Sequence, residues 1–251
     1  MDKPARVALC VTCLVDQLYP EIGVATVKVL RRAGCQVDFP AEQTCCGQPF
    51  FNSGFHRQAQ QLARRTIEIF EPYEVVVLPS GSCTSMIRLE YVHLLEDERA
   101  WRDRAERLAA KTFELSDFLV NQLGWAPADA LVDRPPSVTY HDSCHMCRLL
   151  GLGQEPRRLL KGAGCSLREM EEPDRCCGFG GVFSARMPEV STAMTAEKLR
   201  QASETGATTL ITADPGCLMQ MRGLVGEEGP PIEHLASILE EQTRPLADHR
   251  E

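Results

Sequence analysis

Twelve cysteines lie in the 251 residues of this chain, and eight of them fall into two copies of one pattern. Cys13, Cys45, Cys46 and Cys83 form the first copy; Cys144, Cys176, Cys177 and Cys217 form the second. In both copies the adjacent pair begins 32 positions after the first cysteine, and a glycine follows it, as Cys45-Cys46-Gly47 and Cys176-Cys177-Gly178. The last cysteine comes 37 positions after the pair in one copy and 40 in the other. Four thiols drawn from three loops are the ligand inventory of an iron–sulfur site. Glycines beside them let the backbone come close and turn its N–H groups toward the sulfurs. Gly47, Gly81, Gly178, Gly180, Gly181 and Gly216 all stand next to the candidate ligands. Adjacent cysteines point in different directions, so one pair reaches two irons of the same cluster. Tetrahedral zinc also accepts four thiolates, but structural zinc usually draws on paired C-x₂₋₄-C knuckles, and neither half has that arrangement. Zinc stays as the alternative.

The remaining cysteines and nearby polar residues carry weaker signals. Cys10 with Cys13, and Cys144 with Cys147, read as CxxC pairs of the kind used in thiol redox chemistry. Cys10 falls inside an expected strand, however, and the shared spacing selects Cys13 and Cys144, which leaves Cys10 and Cys147 as small apolar residues. Cys35 and Cys165 each open a strand after a glycine and read as packing residues. His141, Asp142, Ser143 and His145 crowd around Cys144, too close in sequence to present a hydrolase triad. A role for His141 or His145 as a donor to the site or a proton relay stands beside the plainer one of a polar loop. Gly151-Leu152-Gly153 imitates a dinucleotide fingerprint, but no strand precedes it and Pro156 occupies the last glycine position. No Walker-type loop is present, and no residue is assigned as catalytic.

Such thiols need a scaffold that presents loops at one edge. Short apolar runs alternate with helical patterns, which predicts an α/β fold. The repeat predicts two tandem domains, each a mainly parallel sheet flanked by helices and related by internal pseudo-twofold symmetry. In the first half the expected strands are Val7–Val11, Cys35–Phe39 and Glu74–Leu78, with helices near 20–33 and 54–70. In the second they are Val138–Tyr140 and Thr208–Thr212, with helices near 156–161 and 188–204. Cys13, Cys83, Cys144 and Cys217 then fall just past the carboxyl ends of strands, where open parallel sheets hold ligands. The expected boundaries are 1–124 for the first domain, 125–136 for a linker containing Pro127, Pro135 and Pro136, and 137–251 for the second domain. A helical stretch at 97–123 is expected to be an addition without a counterpart, and the tail from Thr243 onward to be frayed.

Hydrophobic content of 43% and charged content of 25% are ordinary for a globular protein. A net charge of −8 argues against a nucleic-acid partner. No run approaches the roughly 18 apolar residues of a membrane span. The opening residues contain no secretory apolar stretch, which predicts a cytoplasmic protein whose thiols serve as metal ligands rather than disulfides.

With these motifs in hand, the chain resembles the cysteine-rich (CCG) domain family, which includes a heterodisulfide reductase component and the iron–sulfur subunit of glycolate oxidase. The segments FPAEQTCCGQP (39–49), VTYHDSCH (138–145) and CCGFGGVFS (176–184) carry the likeness. The resemblance implies a cytosolic component of an iron–sulfur complex that oxidises L-lactate to pyruvate, working with other subunits. The wider family closes each motif with CxxC, whereas Met86 and Gln220 stand at those places here. Five cysteines suit the non-cubane double cluster of the heterodisulfide reductase relatives; four favour one ordinary [4Fe–4S] cluster per domain. Two readings follow: an electron-transfer subunit, and a catalytic subunit that cleaves a disulfide substrate.

Overall fold

The computed structural model describes residues 6–127, 136–227 and 229–244. Four short strands, β1 (Arg6–Leu9), β2 (Gln36–Asp38), β3 (Val76–Leu78) and β4 (Thr112–Glu114), form one sheet in the order β2-β1-β3-β4. A second sheet, β5 (Ser137–His141), β6 (Ser166–Leu167), β7 (Thr209–Thr212) and β8 (Ile232–His234), repeats that order as β6-β5-β7-β8. All the strand pairings are parallel. The register also repeats: Ala8 faces Val76 as Thr139 faces Leu210. Val7, Ala8, Leu9 and all of β3 are buried, the continuous apolar pattern of central strands covered on both faces.

The two halves share one core. Helix Pro20–Arg32 of the first half packs on helix Leu235–Gln242 of the second, and helix Gln154–Gly162 packs on the segment Leu115–Gln122. These are the same pairing seen from either side of the pseudo-twofold. Leu9, Leu115, Leu119, Val138, Tyr140, Leu210 and Leu235 belong to the single hydrophobic cluster so formed. Arg32 fastens it from the rim, donating to the Glu240 carbonyl at 2.6 Å and to its carboxylate at 3.0 Å. A separate cluster with Ile67, Phe70, Met86, Tyr91 and Leu108 lies under the outer helices of the first half.

Several expectations change in detail. The stretch 97–123 is not one helical addition: helix Arg99–Ala110 ends before β4, and β4 with the segment after it matches β8 with helix Leu235–Gln242. Thr112-Phe113-Glu114 is short and only partly apolar, so a helical pattern on either side hides it. Cys83 and Cys217 sit not in loops but in the first turns of helices Gly81–Ser85 and Pro215–Leu224. Helix Pro188–Glu204 has its expected bounds. Most of the expected linker, and the tail beyond residue 244, lie outside the described residues.

In both sheets the strand order reverses between the first and third strands. Connections therefore leave toward opposite faces there and open a crevice at the carboxyl edge. Cys13 and Cys83 flank that crevice in the first half, and Cys144 and Cys217 flank it in the second.

Candidate metal centres

Cys13 opens helix Cys13–Leu18, a few residues after β1. Thr12 before it has φ 72, the one positive φ at a non-glycine among the described residues. A branched residue held there stores on the order of 1–3 kcal/mol, which packing must offset, and such strain gathers at functional sites. Cys46 Sγ lies 3.4 Å from Cys83 Sγ. Cys13 and Cys46 both hydrogen-bond the Cys45 sulfur, so the four sulfurs are joined in one row, Cys13 to Cys45 to Cys46 to Cys83. Cys46 is buried and Cys45 partly exposed, so the adjacent pair does face two ways. A cavity of about 240 Å³, lined by Thr12, Cys13, Gln17, Phe39 and Cys45, opens to solvent beside the outer two thiols.

The second half repeats the row. Cys177 Sγ lies 3.0 Å from Cys217 Sγ, and Cys176 sits between Cys144 and Cys177. Gly47 (φ 90) and Gly178 (φ 88) turn the chain after each pair. A Cβ on Gly178 would come within 2.5 Å of the Ser191 carbonyl, so only glycine lets this loop rest on helix Pro188–Glu204. Both glycine amides point back at sulfur, toward Cys45 and Cys176, at 3.4 Å each. The carbonyls of Cys46 and Cys177 accept hydrogen bonds from Tyr91 Oη and Thr195 Oγ1, each at 2.7 Å.

These contacts set the thiol chemistry. Donation from the Cys13 and Cys46 thiols and from the Gly47 amide pulls Cys45 down to about 3. Cys144, Cys177 and the Gly178 amide pull Cys176 down in the same way. Each row therefore holds a thiolate, the form that binds metal.

Side chains remote in sequence fasten these loops. Gln43 accepts from the Val11 amide at 2.8 Å and donates to the Leu9 and Pro40 carbonyls, tying β1 to the Cys45 loop. In the second half the buried Lys198 does comparable work, donating to the Glu172 carbonyl at 2.6 Å and to that of Pro173 at 3.2 Å. Arg157 grips both Asp142 oxygens, at 2.8 and 2.9 Å, and fixes the turn before Cys144. Asp214 joins the two centres: one carboxylate oxygen accepts from the Gly216 amide at 3.0 Å, the other from the Ser82 amide of the opposite half at 2.7 Å. At this seam Gly81 is obligatory, because a Cβ there would lie 2.2 Å from Met146 Cγ.

The residues present fit an iron–sulfur cluster in each half. The donor sets are soft and converge, and backbone amides point at sulfur. Thr12 Oγ1 and Ser143 Oγ, matching positions before Cys13 and Cys144, are buried without a protein partner. All twelve cysteines are free thiols.

Of the two CxxC pairs, Cys147 is partly exposed, with Asp142, Arg148 and Asp174 for charged surroundings. Cys10 is different: it is buried, and besides burial the Cys83 and Cys45 sulfurs push its thiol up. The register that aligns Ala8 with Thr139 places Cys10 opposite His141 in the repeat. His141 is buried, and its ring nitrogen lies within 4.8 Å of both the Cys177 and Cys217 sulfurs. Burial, with help from Lys198, pushes His141 down to about 3, so the ring is neutral. His145 lies farther out, with Nδ1 3.6 Å from Cys144 Sγ and Nε2 3.2 Å from Gln48 Nε2.

Paired cysteine rows at the edge of a duplicated parallel sheet define a class of protein, and comparison gives its name. A family model described as Cysteine-rich domain matches residues 7–88 and 138–222, and the chain belongs to that family. Its relatives include lactate utilization protein A of Halalkalibacterium halodurans, 49% identical over 95% of this chain and 98% of that one. Lactate utilization protein A of Bacillus subtilis is 47% identical over 93% and 98%. A solved structure of a hypothetical protein from Helicobacter pylori shares the fold at a TM-score of 0.68 and 9% identity. That match covers 97% of this chain, which spans 50% of the other. Among the described residues no helix is long and apolar enough to cross a membrane.

Proposed function

We propose that this chain is an iron–sulfur electron-transfer subunit of a cytosolic complex that oxidises L-lactate to pyruvate. Each domain, 1–124 and 137–251 joined by 125–136, holds one [4Fe–4S] cluster. Cys13, Cys45, Cys46 and Cys83 are the ligands of the first, and Cys144, Cys176, Cys177 and Cys217 those of the second. The observation that carries this reading is the convergence of two equivalent thiol rows, with Cys46 against Cys83 and Cys177 against Cys217. The substrate class rests on the relatives named lactate utilization protein A. When bound, each cluster supplies one-electron storage. The protein's own part is to hold the thiolates, turn the Gly47 and Gly178 amides on them and keep Cys46 and Cys83, and Cys177 and Cys217, from solvent.

The alternative of a disulfide-cleaving subunit finds less support. Met86 stands where the fifth thiol of that chemistry would be, fully buried in the helix after Cys83, and Gln220 is occupied by Ser191 and Thr195. A redox titration of the metal-loaded chain tests the electron-transfer role. Two reversible one-electron waves are expected, one per half; a centre that stays silent across the titration, as zinc would, overturns the role.

A further inference from the structure

The thiol rows match, but the residues that cap the helices holding their last cysteines do not. We propose that the buried Asp214 carboxylate holds the reduction potential of the second cluster down, an inference that rests on the cluster reading above.

The strand register that aligns Val76 with Leu210 sets Ser80 opposite Asp214, each three residues before its cysteine. Ser80 is a neutral cap, whose hydroxyl accepts from the Cys83 amide at 3.3 Å. Asp214 caps helix Pro215–Leu224 with a carboxylate and is 3% exposed. Its two oxygens are held by the Gly216 and Ser82 amides rather than by a cation. Amide donors and the start of a ten-residue helix both favour a negative charge there.

The ligand thiols feel that charge. Hydrogen bonding with Cys176 and burial push the Cys144 thiol up, and Asp214 adds to them. At Cys217 the Cys177 contact pulls down, burial and Asp214 push up, and Lys198 pulls down again. Asp214 also acts on His141 and His234, but burial pushes these down to about 3 and about 4, so both rings are neutral. Arg157 is taken up by Asp142 and Glu169. Asp214 and Lys198 are thus opposed charges bearing on one sulfur. A cluster gains negative charge on reduction, and a buried carboxylate opposes that gain more strongly than an exposed one.

Redox titration of the iron-loaded chain carrying Asp214→Asn or Asp214→Ser tests this. Asparagine keeps the size, and serine is the cap that the first half itself uses. Both should raise one of the two waves, by on the order of tenfold in the one-electron equilibrium constant, or 59 mV. The other wave should move less, because Asp214 meets the first centre through the Ser82 amide. In a Cys46→Ser background, which keeps the second cluster, the remaining wave should be the one that rises. Lys198→Met should lower that same wave. Opposite signs separate charge from loosened packing, which would shift the wave one way in every variant. A wave that stays put or falls without Asp214 overturns this inference and leaves the cluster reading standing. Loss of the second cluster in both Asp214 variants makes the residue purely structural and overturns it too. A wild-type chain that binds no iron removes the cluster reading as well.

Discussion

Replacing Cys46 or Cys177 with serine should cost the chain the iron of one half, roughly half of the total, and leave the other cluster in place. Both are among the most buried thiols, at 5% and 3% exposure, and each touches a sulfur on either side. Serine keeps the shape but offers a hard hydroxyl where soft iron needs thiolate. The neighbouring sulfurs then lack their closing ligand. The loss stays local because the two rows are built on separate sheets, and what joins them, Asp214 to the Ser82 amide and Gln48 to His145, involves none of the eight sulfurs. Cys147→Ala provides the contrast. The shared spacing leaves it out of the ligand set and its charged surroundings are Asp142, Arg148 and Asp174, so iron should be retained, with a cost of about 1 kcal/mol for lost packing. Iron counted on anaerobically prepared variants decides it, and equal losses in Cys147→Ala and Cys177→Ser would contradict the ligand assignment.

The second large effect concerns activity. Lactate oxidation takes two electrons and two protons from one carbinol group, one proton from carbon and one from oxygen, whereas a cluster moves single electrons and no hydride. Two clusters can store the pair in separate steps, but a base must first bind and deprotonate the substrate. The histidines beside Cys144 offer none: His141 is sealed in the interior and His145 stands against Gln48. The metal-loaded chain alone should therefore not reduce a dye with L-lactate. Turnover should arise when partner proteins are added, and fall to background again with Cys46→Ser or Cys176→Ser. Robust lactate-dependent dye reduction by the isolated chain would give it the catalytic role instead.

Much of the scaffold is legible in the sequence because its strands are short apolar runs closed by glycine or proline. Val76-Val77-Leu78 and Thr209–Thr212 are buried on both faces, and no competing helix pattern covers them. β4 is not legible, because three residues of mixed polarity sit between helical segments and gain their identity only by pairing with β3. Missing β4 also hides the counterpart of β8. The inserted helix Arg99–Ala110 shifts the offset between repeats, so a search at the cysteine spacing passes over the match.

The eight thiols are legible from spacing alone, and the structure gathers them as two rows. Their support is not. Gln43, Arg157, Lys198 and Asp214 act through contacts across distant loops, and isolated polar residues carry no periodic signal. His141 stands out in the sequence for its closeness to Cys144, yet its contact in space is with Cys177 and Cys217. The signal that finds it is the repeat itself, which sets His141 on Cys10 once the strands are aligned. The same alignment shows that the two CxxC pairs differ, since Cys10 is buried and its thiol pushed up by Cys83 and Cys45, while the charged surroundings of Cys147 are Asp142, Arg148 and Asp174.

Metal and sulfide content of the anaerobically purified chain tests the central claim most directly. Two [4Fe–4S] clusters predict about eight irons and about eight acid-labile sulfides per chain, with no stoichiometric zinc. Stoichiometric zinc without iron or sulfide, persisting after anaerobic reconstitution, would contradict it.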